Sequence, residues 1–243
     1  TPPKSYLTDE TCKVIDSVIR VTQGIDSLSM LLDNYTIDGN KYGMMHANKE
    51  LGGRYREAAK FNEAIIYHRQ ALELAQQLCD TVEIIQIYNQ IGTNFRRMGI
   101  MDEASTYHYK ALALCEQYND KNSYVALKNR VVSLNGIGNV QLSMENYNAA
   151  ITAFREALSG EQQLNSELGQ AINYANIGAI FEKQGMIDSA WIYYRRSMLH
   201  NQAARSNLGI SLCHTYFGNL LEKDKQWDNA IREYRSAYDL MGK

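Results

Sequence analysis

Five times along this chain of 243 residues an apolar residue is followed by glycine, and twelve positions after that glycine stands an alanine. The copies are Leu51-Gly52 with Ala64, Ile91-Gly92 with Ala104, Ile137-Gly138 with Ala150, Ile177-Gly178 with Ala190, and Phe217-Gly218 with Ala230. Four residues beyond each alanine comes a ring: His68, His108, Phe154, Tyr194 or Tyr234. Three further on is a small residue: Ala71, Ala111, Ala157, Ser197 or Ala237. The glycines are separated by 40, 46, 40 and 40 residues. Self-similarity at such a period belongs to stacked supersecondary units, each burying its apolar face only against its neighbours. It predicts a surface built to hold something rather than to transform it.

Each unit reads as two helices. In the first, Tyr88, Ile91 and Phe95, or Tyr174, Ile177 and Phe181, recur at three and four, giving one apolar stripe. The glycine lies on that stripe, where a missing side chain lets the partner helix approach. Its cost against alanine, about 1 kcal/mol, is offset by closer packing. A bulky residue (Phe61, Met101, Tyr147, Ile187 or Trp227) then closes the turn. The residue after it is Asn62, Asp102, Asn148, Asp188 or Asp228, a preferred helix N-cap expected to open the second helix. On that helix the small residues are expected to meet the paired helix, with the ring wedged toward the next repeat. The only prolines are Pro2 and Pro3, so proline bars nothing after them from helix.

These residues resemble the tetratricopeptide repeat, whose pattern is L-G-x2-Y, then A-x3-F, then A, and the resemblance covers roughly residues 45–241. Two features depart from it. The period is mostly 40 where the family's is about 34, which requires both helices to be about one turn longer. The family's closing proline is absent from every copy. The 40-residue variety is similar to repeats of kinesin light chains and cell-polarity adaptors. It is also similar to the sensor regions of bacterial membrane-bound histidine kinases and to helix-turn-helix regulators.

The resemblance implies an all-α fold, a right-handed α-solenoid of helix-turn-helix repeats. Residues 1–44 form an N-terminal helical cap with a degenerate half-repeat, and the repeats span 45–84, 85–130, 131–170, 171–210 and 211–243. In the cap, Gly24, Leu28 and Leu31 occupy second-helix positions, and residues 8–20 add one more helix. The second repeat carries a loop insertion near Asn119–Ser123. At the other end Tyr234 and Tyr238 are expected to project toward where a sixth unit would pack. Solenoid ends need covering. The expectation is that the natural protein continues beyond Lys243, or that another chain covers this end by self-association.

Composition narrows the partners. The formal charge is −2 and the pI about 6.2, so no excess of positive charge exists to attract phosphate backbones. Nucleic acid is not expected as a partner of this segment. No apolar run approaches the roughly 18 residues of a membrane span, so no membrane insertion is expected either. Cys12, Cys79, Cys115 and Cys213 lie far apart without a CxxC pair, and read as small hydrophobes buried in helices.

Candidate chemistry dissolves into the repeat. His68 and His108 hold the position that is Phe154, Tyr194 or Tyr234 elsewhere, so each reads as a flat ring filling an inter-repeat slot. His46, His200 and His214 have no companion His or Cys at ligand spacing, so no metal site is expected. Asp102-Glu103 sits at a helix start, where the helix dipole favours it. Gly136-Ile137-Gly138 superficially resembles a phosphate loop but follows no strand. Neither an enzyme nor a cofactor is expected.

What remains is the concave wall. In tetratricopeptide arrays it is lined by first-helix positions two, five, nine and twelve, counting the glycine as eight. Repeat one gives His46, Lys49, Gly53 and Arg56; repeat two gives Gln86, Asn89, Thr93 and Arg96. Repeat three gives Val132, Asn135, Asn139 and Leu142, and repeat four gives Ile172, Ala175, Ala179 and Glu182. Repeat five ends the series with Leu212, Thr215, Asn219 and Glu222, so the wall grades from basic and amide-rich to apolar, then mildly acidic. The candidate peptide-binding residues are Lys49, Arg56, Gln86, Asn89, Thr93, Arg96, Asn135 and Asn139. Amides satisfy both donors and acceptors of an extended backbone, and the three cations can hold a carboxylate. The family's chaperone-binding clamp is not matched, since Gly53 stands for its Asn and Val132 with Gly136 replace its basic pair.

The expected function is a non-catalytic module binding a protein or extended peptide, in the periplasmic, extracytoplasmic sensor region of a larger bacterial signalling protein. The alternatives are a fragment of a cytoplasmic peptide-responsive transcriptional regulator and a self-associating assembly scaffold.

Overall fold

The computed structural model describes residues 8–117 and 123–242, and every regular element in them is helical. The chain divides into two compact units, Thr1–Asn129 and Arg130–Lys243. The first contains α1 (Asp9–Val21), α2 (Ile25–Ile37), α3 (Lys41–Glu57), α4 (Phe61–Gln77), α5 (Thr81–Arg97) and α6 (Met101–Cys115). Helix α7 (Tyr124–Ser143) carries the division. The second unit continues through α8 (Tyr147–Gln163), α9 (Glu167–Lys183), α10 (Ile187–Ala203), α11 (Asn207–Lys223) and α12 (Trp227–Met241). The loop insertion expected near Asn119–Ser123 falls, apart from Ser123, outside the described residues.

The period has a simple origin. Helices α3, α4 and α5 are each 17 residues long and are joined by three-residue connectors. The connectors turn by a left-handed central residue, which is Gly39, Gly99 or Gly185 in three of them. In six others it is Ala59, Cys79, Glu145, Asn165, Arg205 or Lys225, with φ between 52 and 59°. Each turn is closed by a main-chain bond back into the helix, as from Lys60 N to Tyr55 O at 2.8 Å and Asp80 N to Ala75 O at 3.0 Å.

Capping differs between the two helices of a hairpin. First helices are capped by side chains: Asn40, Asp80, Ser166 and Ser206 accept from the amides of Gly43, Glu83, Gly169 and Gly209. Each such cap contributes about 1 kcal/mol. The hairpins therefore begin at Lys41, Thr81, Glu167 and Asn207, four residues ahead of the boundaries at 45, 85, 171 and 211. Second helices were expected to be capped by Asn62, Asp102, Asn148, Asp188 and Asp228. The structure corrects this: the bulky residue before each is already helical, and the caps are Lys60, Ile100, Asn146, Met186 and Gln226, without side-chain cap bonds. The displaced polar residues lie in the first turn, where the acidic ones suit the helix dipole.

The repeated glycine and ring meet within one hairpin. A Cβ built on Gly52 would lie 2.5 Å from the His68 ring; on Gly92, 2.8 Å from His108; on Gly138, 2.6 Å from Phe154. On Gly178 it would lie 2.8 Å from Tyr194, and on Gly218, 2.4 Å from Tyr234. The ring thus rests on the bare backbone of its own first helix instead of wedging only toward the next repeat. Tyr234 consequently does not project from the end of the array: its hydroxyl donates to Asn219 Oδ1 at 2.9 Å and Glu222 Oε2 at 2.8 Å. Tyr238 is exposed.

At the N-terminus α1 and α2 pack on α3 through Ile15, Ile19, Leu28, Ala47 and Leu51. Gly24 is the N-cap of α2 at φ 88°, outside the helix position assigned to it. Two cysteines, Cys115 and Cys213, are buried in helices as expected. Cys79 instead is exposed, at a left-handed connector position, and Cys12 is half-buried; none of the four is in a disulfide.

Candidate functional site

In the first unit the candidate residues line α3 and α5, and only some of them are available to a partner. Lys49 Nζ donates to Glu83 Oε2 at 2.6 Å and Gln86 Oε1 at 2.8 Å, tying α3 to α5. Glu83 was not among the sequence candidates, because it lies three residues before position two. Asn89 is corrected outright. It is 5% exposed, and its Oδ1 accepts from His108 Nδ1 at 2.9 Å, so it is a buried link between α5 and α6. The equivalent ring in repeat one, His68, accepts at Nδ1 from Asn94 Nδ2 at 2.9 Å. Thr93 bonds its own helix through Asn89 O at 2.9 Å.

Arg56 and Arg96 stand in the last turns of α3 and α5, half-buried, and neither forms an ion pair among the described residues. Burial, then the like charge of Arg97, pulls both guanidinium groups below their ordinary value, with Glu57 and Glu50 acting the other way on Arg56. Arg54, two residues away, is instead engaged by Glu50 at 3.0 Å and Glu57 at 3.6 Å. A half-desolvated charge held outside any direct ion pair is costly, so these two cations are the groups an incoming anion would satisfy.

In the second unit Asn135 and Asn139 are half-buried on α7. Asn135 Oδ1 is enclosed and has no hydrogen-bond partner among the described residues. The expected acidic stretch is already occupied. Glu182 accepts from Tyr194 at 2.6 Å and from Lys223 at 2.6 Å, while Glu222 accepts from Tyr234. What this unit offers instead is apolar: Ile172 and Leu212 are 49% and 44% exposed, and Leu168 and Leu208, one turn earlier, are exposed as well. Leu168 and Leu208 lie one turn before the four family positions, outside the candidate set. Their 40-residue offset was the signal.

Among the described residues no group of three or more His, Cys, Asp or Glu is placed to hold a metal, and no helix is long and apolar enough to cross a membrane. Burial, then the charge of Arg56, pushes the His68 imidazole down to about 3. Burial, then Arg96, pushes His108 down to about 4. Both rings are neutral packing groups at neutral pH.

The hairpins, their Gly–ring contacts and their half-exposed first-helix faces define a helical-repeat array of the tetratricopeptide class. Residues 83–163 match the family model of the tetratricopeptide repeat, and the same residue pattern continues on both sides of them. No curated protein matches the sequence. Among solved structures it is similar to BtubC (BKLC) from P. vanneervenii, with a TM-score of 0.74 and 19% identity over 90% of this chain and 89% of that one. Aspartyl phosphate phosphatase F from Bacillus subtilis gives a TM-score of 0.73 and 13% identity, over 96% of this chain and 60% of that one. The Rap conjugation gene regulator of plasmid pLS20, solved with the Phr* peptide, gives 0.72 and 14%, over 95% and 68%. At these identities the likeness is one of fold.

Proposed function

We propose that this chain is a non-catalytic module that binds a protein or extended peptide along its first-helix faces. The observation that carries the reading is a division of labour. The rings of the second helices are consumed by packing, whereas Arg56, Arg96, Asn135, Ile172 and Leu212 on first helices are left half-exposed or unsatisfied. The peptide held by the Rap regulator of the same fold supports the choice of ligand class.

The test is site-specific photocrosslinking in source cells, with benzoylphenylalanine at Ile172, Leu212 or Arg96, and at the exposed second-helix residues Ile66 and Ile192 as controls. Discrete adducts from the first-helix sites alone are expected. Equal yields from both sets, or none, would reject the assignment.

The signalling context follows from the resemblance of the 40-residue period to sensor regions of membrane-bound histidine kinases. On that basis the module acts outside the cytoplasm as the sensor or interaction region of a larger bacterial protein. Protease added to spheroplasts then degrades it; full protection favours the cytoplasmic peptide-responsive regulator.

Self-association is a second reading, favoured by one observation. Trp227, Ile231, Tyr238 and Met241 form an exposed stripe along α12 at helical spacing. Light scattering is expected to give a dimer or larger species that Ile231→Glu with Tyr238→Glu reduces to a monomer. A monomer at high concentration from the parent chain would remove the idea.

A further inference from the structure

Between α3 and α5 the gap separating successive first helices is closed by the bridge of Lys49 to Glu83 and Gln86. Counted from the repeat glycine, those three residues hold positions five, minus one and two. The same positions on α9 and α11 are Ala175, Gly209 and Leu212. All three line an open cleft of about 320 Å³. The place that holds a lysine, a glutamate and a glutamine in the first unit is therefore vacant in the second.

The lining says what would enter. None of its side chains carries a charge. Its rim is formed by Leu168, Ile172, Leu208 and Leu212, all exposed. Its floor is polar but internally satisfied: Asn201 Nδ2 donates to Ser197 Oγ at 3.3 Å and Cys213 Sγ at 3.5 Å. A Cβ on Gly209 would press into the Asn201 side-chain amide, so a larger residue there would displace that amide. A charged group entering such a space would be desolvated without a counter-charge. The volume is at the small end of ligand sites, and a helix about 10 Å across does not fit within it.

We propose that this cleft is a socket for one large uncharged side chain, aliphatic or aromatic, of a bound peptide segment. The proposal rests on the peptide-binding reading above and names the side-chain class that reading leaves open. Asn176, at the cleft wall, is placed to hydrogen-bond the main chain of that segment.

The experiment uses the 243-residue chain with labelled Ile, Leu and Val methyl groups, titrated with N-acetyl-leucinamide, N-acetyl-phenylalaninamide, N-acetyl-lysinamide and N-acetyl-aspartamide. The apolar amides are expected to give saturating shifts at Leu168, Ile172, Leu208 and Leu212, with affinity about tenfold or more above the charged ones. Ala175→Leu, which fills the cleft from a partly exposed position, should abolish those shifts. Ala175→Lys with Leu212→Gln, importing two members of the polar bridge, should do the same and guards against loss through misfolding of either variant. Equal response to charged amides, shifts that survive both variants, or no saturable response at the methyls of these four residues overturns the socket. Saturable shifts confined to other first-helix residues overturn it as well but leave the peptide-binding reading standing. That reading is judged separately by the crosslinking yields.

Discussion

Gly138→Ala is expected to lower the free energy of unfolding by about 1–3 kcal/mol, the cost of overpacking a filled interior. Helix propensity alone gives the opposite sign, since alanine is favoured over glycine by about 1 kcal/mol within a helix. The steric effect wins because the new methyl would lie 2.6 Å from Phe154 Cε1, and Phe154 is fully buried with no route outward. Urea unfolding of the single variant, of Phe154→Leu and of the pair measures the coupling. The double variant should be more stable than the sum of the two losses, as the smaller side chain makes room for the methyl. A Gly138→Ala protein at least as stable as the parent would show that the contact is not what fixes the glycine.

Acidification from pH 7 to pH 5 is expected to destabilise the fold by about 2 kcal/mol for each of His68 and His108. Their folded-state values, about 3 and about 4, lie below the ordinary value of 6.5. The unfolded chain therefore takes up protons below 6.5 that the folded chain refuses. The stability tied to the neutral rings is complete above that pH and is lost progressively as pH falls toward 4 and 3. Unfolding free energies measured at pH 7, 6 and 5 should show a slope that is shallower in His68→Phe with His108→Phe. Only the slope is informative, since those substitutions also remove the bonds to Asn94 and Asn89. An unchanged slope would mean that the rings protonate in place.

Much of the architecture was legible because the glycine, the alanine and the ring keep fixed intervals through five copies, and fixed intervals on a helix fix faces. Which helix the ring touches was not legible. A spacing of sixteen residues is compatible with contact inside the hairpin or beyond it, and only the close approach at Gly52, Gly92 and their counterparts decides. The connectors were hidden for a different reason. Left-handed turns are usually announced by glycine, yet Ala59, Cys79, Glu145 and Arg205 carry them here.

The candidate site was read less well, and Asn89 and Asn135 show why. They hold the same position in successive repeats, but the neighbouring ring is His108 in one and Phe154 in the other. Histidine can donate to the Asn89 oxygen; phenylalanine offers nothing to Asn135, whose oxygen has no partner among the described residues. Position alone assigns both to the surface, and the chemistry of a residue nineteen positions onward separates them. The same holds for Lys49, whose availability is set by Glu83 on the next first helix.

Because each ring sits on a glycine of its own hairpin, the fixture that sets helix spacing travels with the unit that contains it. Within the second unit, α9 with α10 and α11 with α12 start forty residues apart and use connectors of equal length. Such a hairpin is interchangeable stock: excising forty residues, or duplicating them, rejoins like with like. The interior imposes the gauge, and the outward faces of the first helices are then free to carry a lysine bridge in one copy and an open cleft in another.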